Sequence, residues 1–410
     1  MFGASPMYKS RATRFKRIKI TLAIKAKSLY TFFVFQRKTG SICDAEVGSV
    51  SRHFGKTFLL RVTKALAAVF AFIIFFFALQ RLLMPKYASA VPEGGMIQEY
   101  YKSTPDHDVI FIGDCEVYTS YSPVTLWEEY GITSYVRGSP QQLVWQSYYL
   151  LEDTLRYETP KIVIFNVLAM QFGQPQSEPY NRLTLDGMRM SQSKLRAISA
   201  SRMDDEDLLS YFFPFFRYKD RWKELSTEDL RYFFHDPGIT VNGFMIRSDI
   251  SQAGYVPDPM LRADYQFGEK AFIYLERMAS LAKKHGIELI LVKAPTLYPH
   301  WYEEWEEQVD EFAKQNDLLY INFSGHIEDI GLDYSTDTYN AGVSLNVYGA
   351  ERLTKYVGTL LRDRFDLPDR RNETDTAACW DEISALYHRI IAKQQEEISL
   401  TGKIQTFRAE

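Results

Sequence analysis

Three apolar runs in this chain end on residues that could take part in acyl chemistry. The first is Asp108-Val-Ile-Phe-Ile-Gly-Asp-Cys-Glu-Val-Tyr118. Val109 to Ile112 is compact and rich in β-branched residues, which predicts a strand buried on both faces. Gly113-Asp114-Cys115 breaks the strand, and Glu116 opens a turn running into a helix. This order puts Cys115 at the carboxyl edge of a parallel sheet, beside free backbone N–H groups, where open α/β sheets hold their ligands. A thiol with a pKa of about 8.5 supplies a little thiolate at neutral pH without any base, and a helix N-terminus lowers that value. Cys115 is therefore the candidate nucleophile. Two further strands end on Gly138 and Asn166, on the same rim.

The elements that must position these residues follow from periodicity. Thr133–Gly138 is a second short strand, and Gln141–Tyr157 a helix with Leu143, Tyr148, Leu151 and Leu155 on one face. Lys161–Asn166 is a third strand. Residues 171–265 break the alternation, with an acidic run at Asp204–Asp207 and aromatics from Tyr211 to Phe234. They read as an insertion over the sheet edge, either a lid or a helical subdomain with its own core. Glu269–His285 is a helix ended by Gly286. Ile287–Val292 is a fourth strand, Trp301–Gln315 a helix, Leu318–Phe323 a fifth strand, and a last helix spans about Val347 to Phe365. Strands alternating with helices specify a three-layer α/β/α, doubly wound parallel sheet of about five strands. Residues 368–410 are charged and helix-prone, with no place in that sheet, and are expected to extend outward.

Gly-Asp-Ser after a hydrophobic strand is the first signature block of the SGNH (GDSL-type) hydrolases and acyltransferases. Gly113-Asp114-Cys115 resembles it, with sulfur in place of the serine oxygen. The resemblance covers about Asp106 to Leu367. It is nearest to the membrane-anchored, surface-facing branch with the D-alanyl-lipoteichoic-acid transfer proteins and the alginate acetyltransferase-like proteins. It implies an oxyanion hole made by the Cys115 and Gly138 backbone N–H groups and the Asn166 amide, with Asp114 supporting the turn. The family's base histidine precedes the last helix in a block of the form Asp-x-x-His. The matching stretch is Asp337-Thr-Tyr-Asn-Ala-Gly-Val-Ser-Leu-Asn-Val-Tyr-Gly349, where Ser344 takes the histidine's place and Asn340 or Asp337 that of the carboxylate. Serine has no basic lone pair near neutral pH, so the ordinary serine-esterase proton transfer lacks its base. His326 and His300 also follow strands, and both read as surface or capping residues. The resemblance further implies no cofactor, an acylated or glycan cell-envelope substrate, and a membrane acyltransferase as candidate partner.

Charge divides the chain. The whole carries a formal −4 over 410 residues, but residues 1–64 hold fourteen Lys or Arg against two acids, leaving about −16 for the remainder. A basic head on an acidic body fits a membrane-oriented protein, not a nucleic-acid binder. Ala65–Leu79, extended by Leu82-Leu83-Met84, is apolar enough to span a bilayer over residues 58–84. The positive head places the N-terminus in the cytoplasm and the body outside. Ala88-Ser89-Ala90 offers the alternative of a cleaved signal. The head, 1–57, reads as irregular, and 85–104 as a linker. Cys43, Cys115 and Cys379 are too few and too dispersed for a disulfide framework, and no cluster has zinc-ligand spacing.

Two functions remain open at this point. One is a surface-anchored hydrolase or O-acyltransferase that uses Cys115. The other is a catalytically inactive relative that binds an envelope glycan or polymer, or serves as an assembly partner.

Overall fold

The computed structural model describes residues 47–84, 94–104, 106–234, 238–256 and 258–406. Most of the basic head, Cys43, residues 85–93 of the linker and the Ala88-Ser89-Ala90 site lie outside the described residues. The rest of the linker is not irregular but forms the short helices Gly95–Glu99 and Tyr100–Lys102, burying Met96, Ile97 and Tyr100. The chain divides after Phe77 into two units. The first described element is the helix Val47–Leu83, which begins before the expected start at 58. Within it Phe58–Leu83, 26 residues with a mean hydropathy of 2.4, is long and apolar enough to cross a membrane. Its side chains Phe70, Phe72, Ile74 and Phe75 are all exposed.

The second unit is built on a five-stranded parallel sheet in the order β2-β1-β3-β4-β5. The strands are β1 (Val109–Gly113), β2 (Ser134–Gly138), β3 (Ile162–Asn166), β4 (Glu288–Lys293) and β5 (Leu319–Asn322). Each lies within a residue or two of its expected position. Register aligns Gly113 with Gly138, Ile112 with Phe165, and Asn166 with Val292. Successive strand residues point to opposite faces, and both faces are dry. Ile110, Ile112, Val163, Phe165, Leu289 and Leu291 pack against the helices Val144–Thr154, Glu269–His285 and Glu303–Gln315. Val109, Phe111, Ile162, Ile164, Ile290 and Val292 pack against Cys115–Ser120, Pro123–Tyr130 and Val347–Arg364. Burial on both sides explains why the strands are near-continuous apolar runs. The architecture is thus the doubly wound α/β/α sheet, and Gly286 ends its helix in the left-handed conformation at φ 68°.

The insertion contributes short helices at Glu178–Leu185, Gln192–Ser201, Leu208–Phe212, Phe215–Tyr218 and Thr227–Phe234. It then returns along the outer edge of β2. There the Val136 N–H donates to the Asn242 carbonyl at 3.0 Å. Gly243, at φ +84°, passes so close that a Cβ would sit 1.9 Å from the Val136 oxygen. An exposed strand edge is an aggregation hazard, and this segment covers it.

The C-terminal residues do not extend outward. The helix Thr374–Thr401 folds back, burying Trp380, Tyr387, Ile390 and Gln394. Trp380 stacks on Trp127 at 5.3 Å. The Gln394 side chain accepts from Ser248 N–H at 2.9 Å and donates to the Ile246 carbonyl at 3.1 Å. Tyr387 and Ile390 close a third core with Val124, Phe244 and Val347. The physical reason is an apolar stripe at helical spacing inside an otherwise charged sequence.

Candidate active site at the carboxyl rim of the sheet

Asp114 and Cys115 sit where β1 gives way to the helix Cys115–Ser120. Asp114 is the N-cap, its carboxylate accepting from the Glu116 N–H at 3.1 Å, and Cys115 is the first helical residue. A Cβ on Gly113 would lie 2.4 Å from Val117 Cγ2 and 3.0 Å from Asn166 Cβ. Only glycine lets strand, helix and β3 approach this closely. Gly138 stands beside the same turn: a Cβ there would be 3.2 Å from the Asp114 carbonyl oxygen. Asn166 reaches in from β3 and hydrogen-bonds the Asp114 carboxylate. Cys115, Gly138, Asn166 and Asp114 are therefore gathered around one turn.

What surrounds Asn166 was not foreseen. Its amide donates to Glu116 Oε2 at 2.7 Å and to Asp114 Oδ1 at 3.3 Å, while its carbonyl accepts from the Ala294 N–H at 3.3 Å. Glu116 Oε1 is held by Lys293 Nζ at 2.7 Å and by the Thr296 hydroxyl. Lys293 also donates to the Ala294 carbonyl at 2.7 Å and to Thr296 Oγ1 at 3.1 Å. Asp114, Glu116, Asn166, Lys293 and Thr296 are all buried. The cluster is thus a dry network of two carboxylates, one ammonium, one amide and one hydroxyl.

Its charges do not balance. Burial first, then the Glu116 carboxylate, pushes the Asp114 carboxyl up to about 7, against the Glu116 N–H, Lys293 and Asn166, which hold it down. The half-buried Cys115 thiol is pushed well above its ordinary value, by desolvation first and then by Asp114 and Glu116. This corrects the expectation of a thiol activated by its helix N-terminus. The helix has only six residues, and burial together with two adjacent carboxylates outweighs it.

The stretch before the last helix forms a tight hairpin, closed by Thr338 against Leu345. Asn340 Nδ2 donates to Ser344 Oγ at 3.3 Å, so those residues do meet. The Tyr339 N–H donates to the Ser344 carbonyl at 3.3 Å, and burial pushes the Tyr339 phenol up. Asp337 is elsewhere engaged. Its carboxylate accepts from the Asp333 N–H at 3.0 Å and the Thr336 hydroxyl at 3.0 Å, and pairs with Arg352 Nε at 3.2 Å. It holds a turn. Asn346, not Asp337, caps the last helix, accepting from Tyr348 and Gly349 N–H. His326 lies against Asp329 and the Tyr356 hydroxyl, and the His300 ring meets Tyr302 edge-on at 4.8 Å. Among the described residues no group of three or more His, Cys, Asp or Glu side chains could hold a metal ion.

Sequence reasoning missed Glu116, Lys293 and Thr296. Two signals pointed to them: a charged residue directly after the Asp-Cys turn, and a lysine closing the apolar run of β4. A cavity of about 380 Å³ lies elsewhere, beside the amino ends of β1 and β2, lined by His107, Tyr135, Thr240, Cys379, Trp380 and Leu386 among others.

No family model matches the chain, and no curated protein matches it. Several solved structures are similar to it. A protein of Desulfitobacterium hafniense described as lipolytic and of the G-D-S-L family is 14% identical, the match covering 62% of this chain and all of that one, at a TM-score of 0.32. A GDSL-like lipase from Bacteroides thetaiotaomicron is 13% identical over 66% of this chain and 99% of its own, at 0.30. A Bacteroides fragilis protein described as an acylhydrolase is 11% identical over 65% and 94%, at 0.32. The fold described above rests on strand order and register, and the chemistry on the side chains at the rim.

Proposed function

We propose that this chain is a membrane-anchored, outward-facing protein of SGNH type whose hydrolytic centre is silent. In this reading it binds an acylated or glycan polymer of the cell envelope, or assembles with a membrane acyltransferase. The observation that carries this reading is the amide of Asn166. In the resemblance it should donate to a developing oxyanion, yet its hydrogens go to the Asp114 and Glu116 carboxylates. An oxyanion placed there would find the amide hydrogens it needs already engaged. The nucleophile and base point the same way. Cys115 is held as a thiol, and Ser344, bonded by the Asn340 amide, cannot accept a proton. The anchor rests on the exposed apolar helix and the basic head.

The rival reading, a Cys115-dependent hydrolase or O-acyltransferase, has in its favour the place of Cys115, a residue not fully buried, at the first helical position. One experiment separates the two. The detergent-solubilised full chain is incubated with short-chain p-nitrophenyl esters beside Cys115→Ala. Equal, background rates are expected. Turnover that disappears in Cys115→Ala would establish the enzyme. Restoring a family-like pair with Ser344→His and Asn340→Asp should give no activity either, because the Asn166 amide stays occupied. Protease treatment of intact cells tests the orientation, since a fully protected body would refute an outward-facing domain.

A further inference from the structure

We propose that residues 208–234 form a membrane-surface platform, their exposed aromatic and aliphatic side chains lying in the headgroup layer of the bilayer that Phe58–Leu83 spans. The proposal rests on the anchor reading above.

Two hydrogen bonds join this part of the insertion to the last turn of the apolar helix. Arg221 Nη1 donates to the Leu83 carbonyl at 2.5 Å, and Arg81 Nε donates to the Phe233 carbonyl at 2.5 Å. Leu83 ends the helix, and its carbonyl is one of those left without an intrahelical partner. Arg221 is buried and held from behind by Asp229 at 3.1 Å, so the cap is fixed. The end of a spanning helix lies at the boundary of hydrocarbon and headgroups. Whatever is bonded to that end shares its depth.

The side chains presented at that depth suit it. Trp222 is 63% exposed, Leu230 60% and Phe234 88%, with Leu208, Leu209, Phe213 and Phe216 also exposed. Leu230 and Phe234, four apart in the helix Thr227–Phe234, lie on one stripe. Lys223 stands over the Trp222 ring at 5.6 Å. Tryptophan beside lysine is the composition of a membrane interface, where the ring body is apolar and the edges are wet. In water, this many exposed large apolar side chains within 27 residues mark an interaction site. Its attachment to the end of the spanning helix selects lipid as the occupant.

The test uses the full chain in phosphatidylcholine–phosphatidylglycerol vesicles, with Cys43, Cys115 and Cys379 replaced by serine and a bimane label at Leu230→Cys. Leu400→Cys, exposed at the end of the C-terminal helix, is the control. The label at 230 should be several-fold less quenched by aqueous iodide than the control, and should be quenched by lipids brominated near the headgroup. Equal iodide quenching at both positions, with the chain retained in membranes after alkaline carbonate, would overturn the platform alone. Release by carbonate would refute the anchor and the platform together. Shielding from iodide without quenching by brominated lipid would overturn lipid docking and assign the patch to a protein. Independently of the serine background, brominated lipid should quench wild-type tryptophan fluorescence by a part that is lost in Trp222→Phe.

Discussion

The two ends of β1 each carry buried acids, and they solve the same electrostatic problem differently. At the amino end Asp108 takes a two-pronged Arg370, at 2.6 and 3.1 Å, and a hydroxyl from Thr133. Next to it Glu158 accepts from the backbone N–H groups of Asp106 and His107, the Tyr100 hydroxyl at 2.5 Å and the His107 ring at 3.0 Å. Burial alone would raise Glu158, but the His107 contacts and the Tyr100 hydroxyl outweigh it and hold the carboxyl at about 2. At the carboxyl end, Asp114 and Glu116 share a single cation, Lys293, and Asp114 is pushed to about 7. At one end each buried acid is met by several donors, whereas at the other two buried carboxylates share one lysine. Imbalance of this kind in a dry site is what fold stability alone does not ask for, and it coincides with the rim where the sheet would hold a ligand.

The largest effect is expected from Lys293→Met. It keeps the side-chain volume but leaves two buried carboxylates without their cation, which costs about 3–5 kcal/mol when one partner of a buried pair is lost. The deficit should deepen as pH rises, because removing the ammonium raises the Asp114 carboxyl further. Urea unfolding in detergent at pH 5 and pH 8 measures it. A pH-independent loss below about 1 kcal/mol would mean the ammonium is not neutralising this rim.

Glu158→Gln should have a smaller effect of the same pH sense, opposite to that of Asp114→Asn. Its folded value lies below the unfolded one, so its stabilisation is complete above the unfolded value of 4.5 and is lost as pH falls toward 2. The variant should lose roughly 2–3 kcal/mol at pH 7 and converge on wild type in acid. Asp114→Asn should stabilise. The raised Asp114 carboxyl contributes stability that is complete below 3.8 and gone once pH passes 7. Asparagine keeps an acceptor for the cap and carries no charge. Its melting temperature should exceed that of wild type at pH 8, by an amount equivalent to about 1–2 kcal/mol, and the gain should shrink toward pH 5. Parallel pH profiles for these two variants would erase the contrast between the ends of β1.

How much of this was legible follows from what periodicity can carry. β1, β3 and β4 are read correctly because strands buried on both faces must be continuous β-branched runs. Asn166 is singled out because it directly follows such a run, Cys115 because it follows the turn that ends one, and Gly138 because it closes a short strand. Lys293 also follows one, yet a lysine after a strand reads as a solvated end. Only the pairing of Asn166 with Val292 brings it beside Glu116. The Asp337 pairing with Arg352 is equally invisible, since it joins a turn to a helix across fifteen residues of chain. The C-terminal helix shows the converse case. Trp380, Ile383, Tyr387, Ile390 and Gln394 form a stripe in the sequence, but the surface it covers exists only once the insertion has returned over β2.

The smallest effect is kinetic and falls on Cys115 itself. A thiol raised by burial and by neighbouring carboxylates offers little thiolate, so iodoacetamide at pH 7.5 should alkylate Cys115 more slowly than a free cysteine peptide. Asp114→Asn removes the larger of the two carboxylate contributions. Alkylation at Cys115, followed by peptide mass spectrometry, should then quicken several-fold, whereas the labelling of Cys379, far along the chain beside Thr104, should not change. The direction matters more than the size. If Asp114→Asn slows the reaction, the carboxylate is acting as a proton acceptor for the sulfur and not as a repelling charge, and the rim would be an active site after all.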